Sequence, residues 1–132
     1  MNAAPQNPLS PALAAVLDAQ AVARLQALDP RGENRLLERV LDAFFDSLAK
    51  HGDELRDARH AGDLNALRAV AHTLKSSSAS IGATQLSQRC AEVEGLARQG
   101  TAFAFGEPLD ALHAELTRVQ DALAVHRASR SE

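Results

Sequence analysis

Apolar residues fall at helical spacing through most of the chain. Leu37, Leu41, Phe44, Leu48 and Leu55 follow one another in steps of three, four and seven, which places them on one face of a helix. Val40 and Phe45 widen that stripe. The spacing predicts a long helix from near Glu33 to Ala58, roughly 40 Å at 1.5 Å per residue, with Gly52 as a point where it can bend. A shorter helix precedes it, from Ser10 or Asp18 to Leu28, with Val22, Leu25 and Leu28 as its stripe. Asp29-Pro30-Arg31-Gly32 breaks that helix.

Ala61-Gly62-Asp63 is a stop-and-start signal. Glycine can take a positive φ at a helix end, and Asp63 can cap the next helix. So short a connection makes the flanking helices antiparallel neighbours. The next helix is predicted from Leu64 to about Ser80, with Leu67, Ala71, Leu74, Ser78 and Ile81 inward and Gly82 as its stop. Another spans Thr84 to Arg98, with Leu86, Cys90, Val93 and Ala97 inward, and ends at Gln99-Gly100. Thr101 to Gly106 reads as a loop whose Phe103 and Phe105 plug one end of the molecule. Glu107-Pro108 opens the last helix, since proline suits a first turn. Leu109, Leu112, Leu116, Val119 and Leu123 line its inner face.

These elements predict an all-α fold: an up-down-up-down antiparallel four-helix bundle with a short extra N-terminal helix. Residues 1–9 are expected to be a flexible leader, 10–127 the bundle, and 128–132 a frayed charged tail.

Composition agrees. Hydrophobic residues make up 45% of the 132, enough for one core and too many for a disordered segment. Aromatic residues are only 3%, which disfavours sheets and removes the stacking platforms of a single-strand nucleic-acid binder. The formal charge of −3 offers no basic surface for nucleic acid or membrane. The single cysteine, Cys90, excludes an internal disulfide and a cysteine-based zinc site; its apolar helical position predicts a buried, inert thiol. With no membrane-length apolar run and no signal pattern, a cytoplasmic location is expected.

The chemistry concentrates in the helix from Leu64. With Leu67 at zero and 100° per residue, Ala71, Leu74, Ser78 and Ile81 fall within about 40° of one line. Arg68, His72, Lys75, Ser76 and Ala79 fall between about 80° and 180°. His72 is therefore on the solvent side of a mid-helix position. Lys75, three residues on, is placed to neutralise a group attached to the ring. Ala69, Ser76 and Ala79 are small and leave the imidazole open to a large partner. Exposed imidazole is partly neutral, and so nucleophilic, near neutral pH. A phosphoryl group on His72 would carry about two negative charges, which Lys75 and Arg68 can offset.

The run His72, Leu74, Lys75, Ser76, Ser77, Ser78, Gly82 and Ala83 resembles the signature of histidine-containing phosphotransfer domains. The likeness extends from about Asp18 to Gly100. The family's usual glycine one turn after the histidine is Ser76 here, still small. The resemblance implies that His72 accepts a phosphoryl group from the aspartyl phosphate of a response-regulator receiver domain and passes it to another receiver. It implies that Lys75 is the electrostatic partner and Gly82 the turn that ends the helix. No cofactor is expected on this chain, with Mg²⁺ brought by the receiver. No Gly-rich nucleotide loop is present, so autokinase activity is not expected. The exposed face of the second and third helices is expected to dock the partner through Arg68, Ala69, Ser76, Ala79 and Arg89. A hybrid sensor kinase is a further expected partner, and the self-sufficient bundle points to a monomer.

Other readings fit parts of the same sequence. A non-phosphorylated helical adaptor that binds a receiver or kinase keeps the same fold, but has no need for both His72 and Lys75. A sensor-kinase dimerisation helix usually carries an acidic residue directly after its histidine, where Thr73 stands. Ser76 to Ser78 lack the elbow of a nucleophilic serine. Asp57/His60 and Asp110/His113 have the i, i+3 spacing of di-iron bundles, but the stripes show no inward glutamate, so no metal is expected. His51 and His126 read as surface residues.

Overall fold

The computed structural model describes residues 8–130. Residues 1–7, where most of the expected leader falls, and residues 131–132 lie outside the described part. Among the described residues the structure is entirely helical. Two short N-terminal helices, α1 (Pro11–Ala14) and α2 (Ala19–Ala27), precede four long ones: α3 (Leu36–Ala61), α4 (Leu64–Ile81), α5 (Thr84–Arg98) and α6 (Glu107–Arg130). The long helices follow one another antiparallel around a single core, with α3 also packed on α6. Every residue placed inward on α4, α5 and α6 by spacing is buried.

The boundaries follow from local chemistry. Gly62 ends α3 at φ 65°, with Asp63 N–H donating to the Ala58 carbonyl at 3.0 Å; the Asp63 side chain then caps α4 by accepting from Ala66 N–H at 3.0 Å. Gly82 ends α4 in the same way at φ 87°, with Ala83 N–H donating to Ser78 O at 2.8 Å. Gly82 has a second task. Its carbonyl accepts from Asp18 N–H at 2.7 Å, and Asp18 in turn caps α2 through Ala21 N–H at 3.2 Å. A Cβ on Gly82 would meet Ala21 Cβ at 2.8 Å and the Asp18 backbone nitrogen at 3.0 Å. The turn between α4 and α5 is thus locked to the start of α2.

Several expectations are corrected. The first helix is two, because Asp18 caps a fresh start. Leu28, expected inside, is exposed. The long helix begins at Leu36 rather than Glu33, because the Asp29 carboxylate accepts from Asn34 N–H at 3.2 Å and Leu36 N–H at 3.1 Å and holds the intervening residues in a turn. The loop after α5 contains a 3₁₀ turn, Ala102–Phe105. Ala104 is its buried residue; Phe105 packs half-buried against the core while Phe103 is exposed, so only one of the two expected aromatics plugs the end. The tail expected to fray from 128 is helical as far as Arg130: Arg127 stacks on Phe45 at 4.6 Å and pairs with Asp42, and Arg130 pairs with Glu38 at 2.7 Å and Asp42 at 3.0 Å. Toward the other end of the chain Leu9, the last residue of the expected leader, is buried.

Within the bundle, α4 packs most extensively against α5. Both present small buried residues, Ala71 and Ser78 on α4 and Cys90 and Ala97 on α5, which lets two helices come close. The Ser87 hydroxyl donates to the Lys75 carbonyl at 3.2 Å across this seam. Ser78 is fully buried and its hydroxyl has no hydrogen-bond partner among the described residues, so it serves there by size. Two outcomes are expected in urea unfolding. Gly82→Ala should lose about 3 kcal/mol, from the left-handed backbone and the contact with α2. Ser78→Ala should be neutral or gain up to about 1 kcal/mol, because it removes an unpaired hydroxyl. A clear loss for Ser78→Ala would show that the hydroxyl is engaged after all.

Candidate functional site

His72 lies halfway along α4 with its side chain 62% exposed, on the solvent side as its helical phase predicts. Its ring is not simply solvated. Nδ1 lies 2.7 Å from Oε2 of Glu94 on α5. Glu94 is inward-facing, with only 3% of its side chain exposed. The same carboxylate takes Lys75 Nζ on Oε1 at 2.6 Å and Arg98 Nη2 on Oε2 at 2.8 Å. One buried carboxylate thus gathers an imidazole and two cations at the mouth of the α4–α5 seam.

The charge state follows from these contacts. The Lys75 hydrogen bond holds the Glu94 carboxyl below its ordinary range, against the upward push of burial, and the bond from His72 adds to it. An ionised carboxylate only accepts hydrogen bonds. Nδ1 of His72 therefore carries a hydrogen and donates it to Glu94, and in the neutral ring Nε2 keeps its lone pair. That nitrogen is the one free of the carboxylate. This hydrogen bond therefore leaves Nε2 as the ring's available lone pair.

Lys75 stands beside His72 as the spacing predicts, but it is tied to Glu94. Arg68, Ala69, Ser76 and Ala79 are all exposed along the same side of α4. Next to them, Val40, Ala43, Phe44 and Ser47 of α3, Ser77, Ser80 and Ile81 of α4, and Leu25 of α2 line an open apolar groove. Arg89 is not brought to this face. It lies five residues before Glu94, about 140° around α5, in a polar hollow with Gln85, Gln88 and Glu92. Gly82 takes the helix-ending role predicted for it.

Glu94 and Arg98 are the site residues that sequence reasoning missed. The signal was available. Glu94 follows Cys90 by four and precedes Ala97 by three, which puts it on the inward stripe of α5. A carboxylate on an apolar face requires cationic or hydrogen-bonding partners. Glu94 is thus an inward glutamate where the stripes were expected to hold none. No group of three or more potential metal-ligating side chains occurs among the described residues.

His51 and His126 are corrected from surface to buried. His51 Nδ1 lies 2.9 Å from Glu54 Oε1. His126 Nδ1 accepts from Ser10 N–H at 3.1 Å, and Nε2 faces Glu38 at 3.4 Å. His60 is exposed, whereas His113 is half-buried. Burial and the nearby Arg56 and Arg59 lower the pKa of His113. Cys90 is buried as expected, and burial pushes its thiol up to about 12, so it stays unreactive.

The depressed Glu94 titration gives a pH test. Its contribution to stability is complete above the ordinary carboxylate range and is lost as pH falls through the lowered folded value. Glu94→Gln should cost about 1–2 kcal/mol at neutral pH, less than a fully buried pair, because the three partners can rehydrate. The difference from wild type should shrink as the unfolding midpoint is followed into acid. A constant difference would show that Glu94 is not the titrating group.

Comparison with known proteins agrees with this geometry. A family model described as the Hpt domain matches residues 39–122. Among solved structures, histidine-containing phosphotransfer protein B (HptB) from Pseudomonas aeruginosa PAO1 is 28% identical with a TM-score of 0.77, and the match covers 88% of this chain and 97% of that one. A putative histidine-containing phosphotransfer protein from rice is 18% identical with a TM-score of 0.68, covers 86% and 83% of the two chains, and is similar in fold. No curated protein matches the sequence. With the family model matching 39–122 and the histidine, lysine and glycine of the motif lying within it, the chain belongs to the Hpt domain family.

Proposed function

We propose that this protein is a phosphorelay intermediate in which His72 accepts a phosphoryl group from a receiver-domain aspartyl phosphate and hands it to another receiver. Hpt domains work with receivers and kinases in two-component signalling; the carrier residue and the route are what is proposed. The single observation that supports it is the orientation of the exposed ring. Glu94 takes Nδ1 at 2.7 Å and leaves Nε2 as the nucleophile facing an incoming partner.

Phosphoryl transfer relies on in-line positioning and charge neutralisation more than on covalent chemistry from the protein. Here Lys75 and Arg98 bind the same carboxylate that holds the ring. They neutralise the phosphoryl oxygens once the group arrives. The receiver supplies the acidic pocket, the Mg²⁺ and the aspartate. It docks on the exposed face of α3 and α4, where Arg68, Ala69, Ser76 and Ala79 leave the approach clear. The apolar groove beside them supplies area that a partner can bury. The protein acts in this reading as a monomer in the cytoplasm; no helix among the described residues is long and apolar enough to cross a membrane.

Incubation with a phosphorylated receiver should give acid-labile, alkali-stable label on the wild type and none on His72→Gln. Label persisting on His72→Gln would overturn the assignment. Wild type that binds receivers but takes no label from any of them would favour a helical adaptor. Lys75→Ala should fold and transfer roughly tenfold to a hundredfold more slowly; an unchanged rate in rapid-quench transfer would remove Lys75 from the mechanism.

A further inference from the structure

Away from His72, a cavity of about 560 Å³ opens where the turn after α2 meets the start of α3 and the end of α6, a size suited to a small molecule. α2 separates it from the apolar groove: Leu25 lines the groove and Gln26 the cavity. Arg31, Arg35 and Arg130, from those three elements, all line it. We infer that this cavity is a second site, binding a small soluble molecule through a phosphate monoester held by Arg31, Arg35 and Arg130. The inference stands apart from the carrier reading of His72.

Guanidinium groups around one cavity repel each other unless carboxylates or a ligand offset them. The carboxylates on the wall are Asp29 and Glu38, and both are committed. Asp29 accepts from the Asn34 and Leu36 N–H groups at 3.2 and 3.1 Å. Glu38 takes Arg130 at 2.7 Å and His126 at 3.4 Å on one oxygen. The guanidinium groups of Arg31 and Arg35 make no ion pair or hydrogen bond among the described residues. Arg130 engages Glu38 through Nη1 and Asp42 through Nη2, and its buried Nε has no hydrogen-bond partner among the described residues. Donors on the wall therefore outnumber the acceptors that can meet them.

The backbone holds this excess in place. The Asp29 bonds fix the turn, and Arg35 sits at φ 51°, in the left-handed region, which is costly for a residue with a side chain. α3 starts there without a side-chain cap, and Leu36 and Leu37 of its first turn also line the cavity, so N–H groups of that turn add to the donors. The chemistry of the ligand follows. A guanidinium fork matches the paired oxygens of a phosphate, and a phosphate dianion offsets two charges where a carboxylate offsets one. Phosphate alone fills a small part of the volume. Pro8, Pro30 and Leu36 give the rest an apolar wall for an organic body. A phosphate on a lipid would call for a wider basic surface, whereas this chain carries −3.

The test is an NMR titration of the ¹⁵N-labelled full chain at constant ionic strength. The probes are inorganic phosphate, adenosine monophosphate and glucose 6-phosphate, with sulfate as the control. Saturable shifts are expected at the Gly32, Arg35 and Leu36 amides and at the Arg130 Nε–H, with a monoester binding about tenfold tighter than phosphate or sulfate. Arg31 and Arg35 are exposed, so Arg31→Gln and Arg35→Gln should fold. Each should weaken binding about fivefold to tenfold and leave label transfer to His72 unchanged. Linear shifts alike for every anion, or affinity unaltered in both variants, would mean an adventitious ion only and overturn the inference. The same shifts with phosphatidic acid vesicles but with no soluble probe would overturn it too, by making the source a lipid. The carrier reading fails separately: a His72 that takes no label from any receiver leaves these shifts as they are.

Discussion

A carboxylate buried beneath a helix seam must find positive charge, and in this protein that requirement organises the site. An ionised Glu94 without partners would be far more expensive to bury than the seam could offset. Its partners are His72 and Lys75 from α4 and Arg98 from its own helix. The electrostatic demand of one buried oxygen pair thus fixes where an exposed imidazole points and which of its nitrogens is available. The functional geometry and the local stability are one arrangement.

That arrangement depends on register between α4 and α5. Two antiparallel helices can slide, and a shift of one residue would rotate His72 away from Glu94 by about 100°. The turn at Gly82 removes this freedom. It ends α4 in the left-handed conformation, begins α5 within two residues, and holds Asp18 of the α2 cap on its carbonyl. Small residues along the seam then bring the helices close enough for a glutamate to span it. Ser78 belongs to this second layer: its hydroxyl finds no partner among the described residues, so a small volume is what its position uses. The serine run is therefore three different things by angle. Ser76 leaves room outside, Ser77 lines the apolar groove, and Ser78 leaves room inside.

The fold was legible wherever one face was strongly apolar and bounded by glycine or a capping aspartate. The α4 stripe, the α5 bounds and the Gly62-Asp63 junction could be placed from periodicity because local propensity and tertiary packing agree there. The misplacements occur where a side chain reaches across sequence. Asp29 delays α3 by bonding backbone five and seven residues away. Glu38 and Asp42 hold the last turns of α6, so charge that reads as a solvated tail is ordered by partners 85 to 92 residues distant. Glu94 was hidden for a related reason. Hydrophobic periodicity asks which residues are apolar, and an inward carboxylate is legible only when its helical phase is weighed without regard to its polarity. His72 and Lys75 were found from one helix. Glu94 and Arg98 complete the same site from the next one, and only packing brings them together.

The protein also contains two internal controls for what distinguishes the proposed carrier histidine. His51 faces Glu54 and His126 faces Glu38, so a histidine–carboxylate pair is not itself the signature of the site. In both of those pairs the imidazole is buried and the carboxylate is the more exposed partner. At His72 the order is reversed: the carboxylate is buried and the imidazole is exposed. A buried ring with an outer carboxylate can tie elements together, as His126 does between Ser10 and Glu38, but neither nitrogen can reach another molecule. An exposed ring on a buried carboxylate has one nitrogen committed and one presented. The chemistry of phosphoryl exchange requires the second arrangement, because the partner must reach the nucleophile while the protein keeps hold of the opposite nitrogen. The direction of burial across the pair, more than the presence of a histidine at the right spacing, separates His72 from the other histidines of the fold.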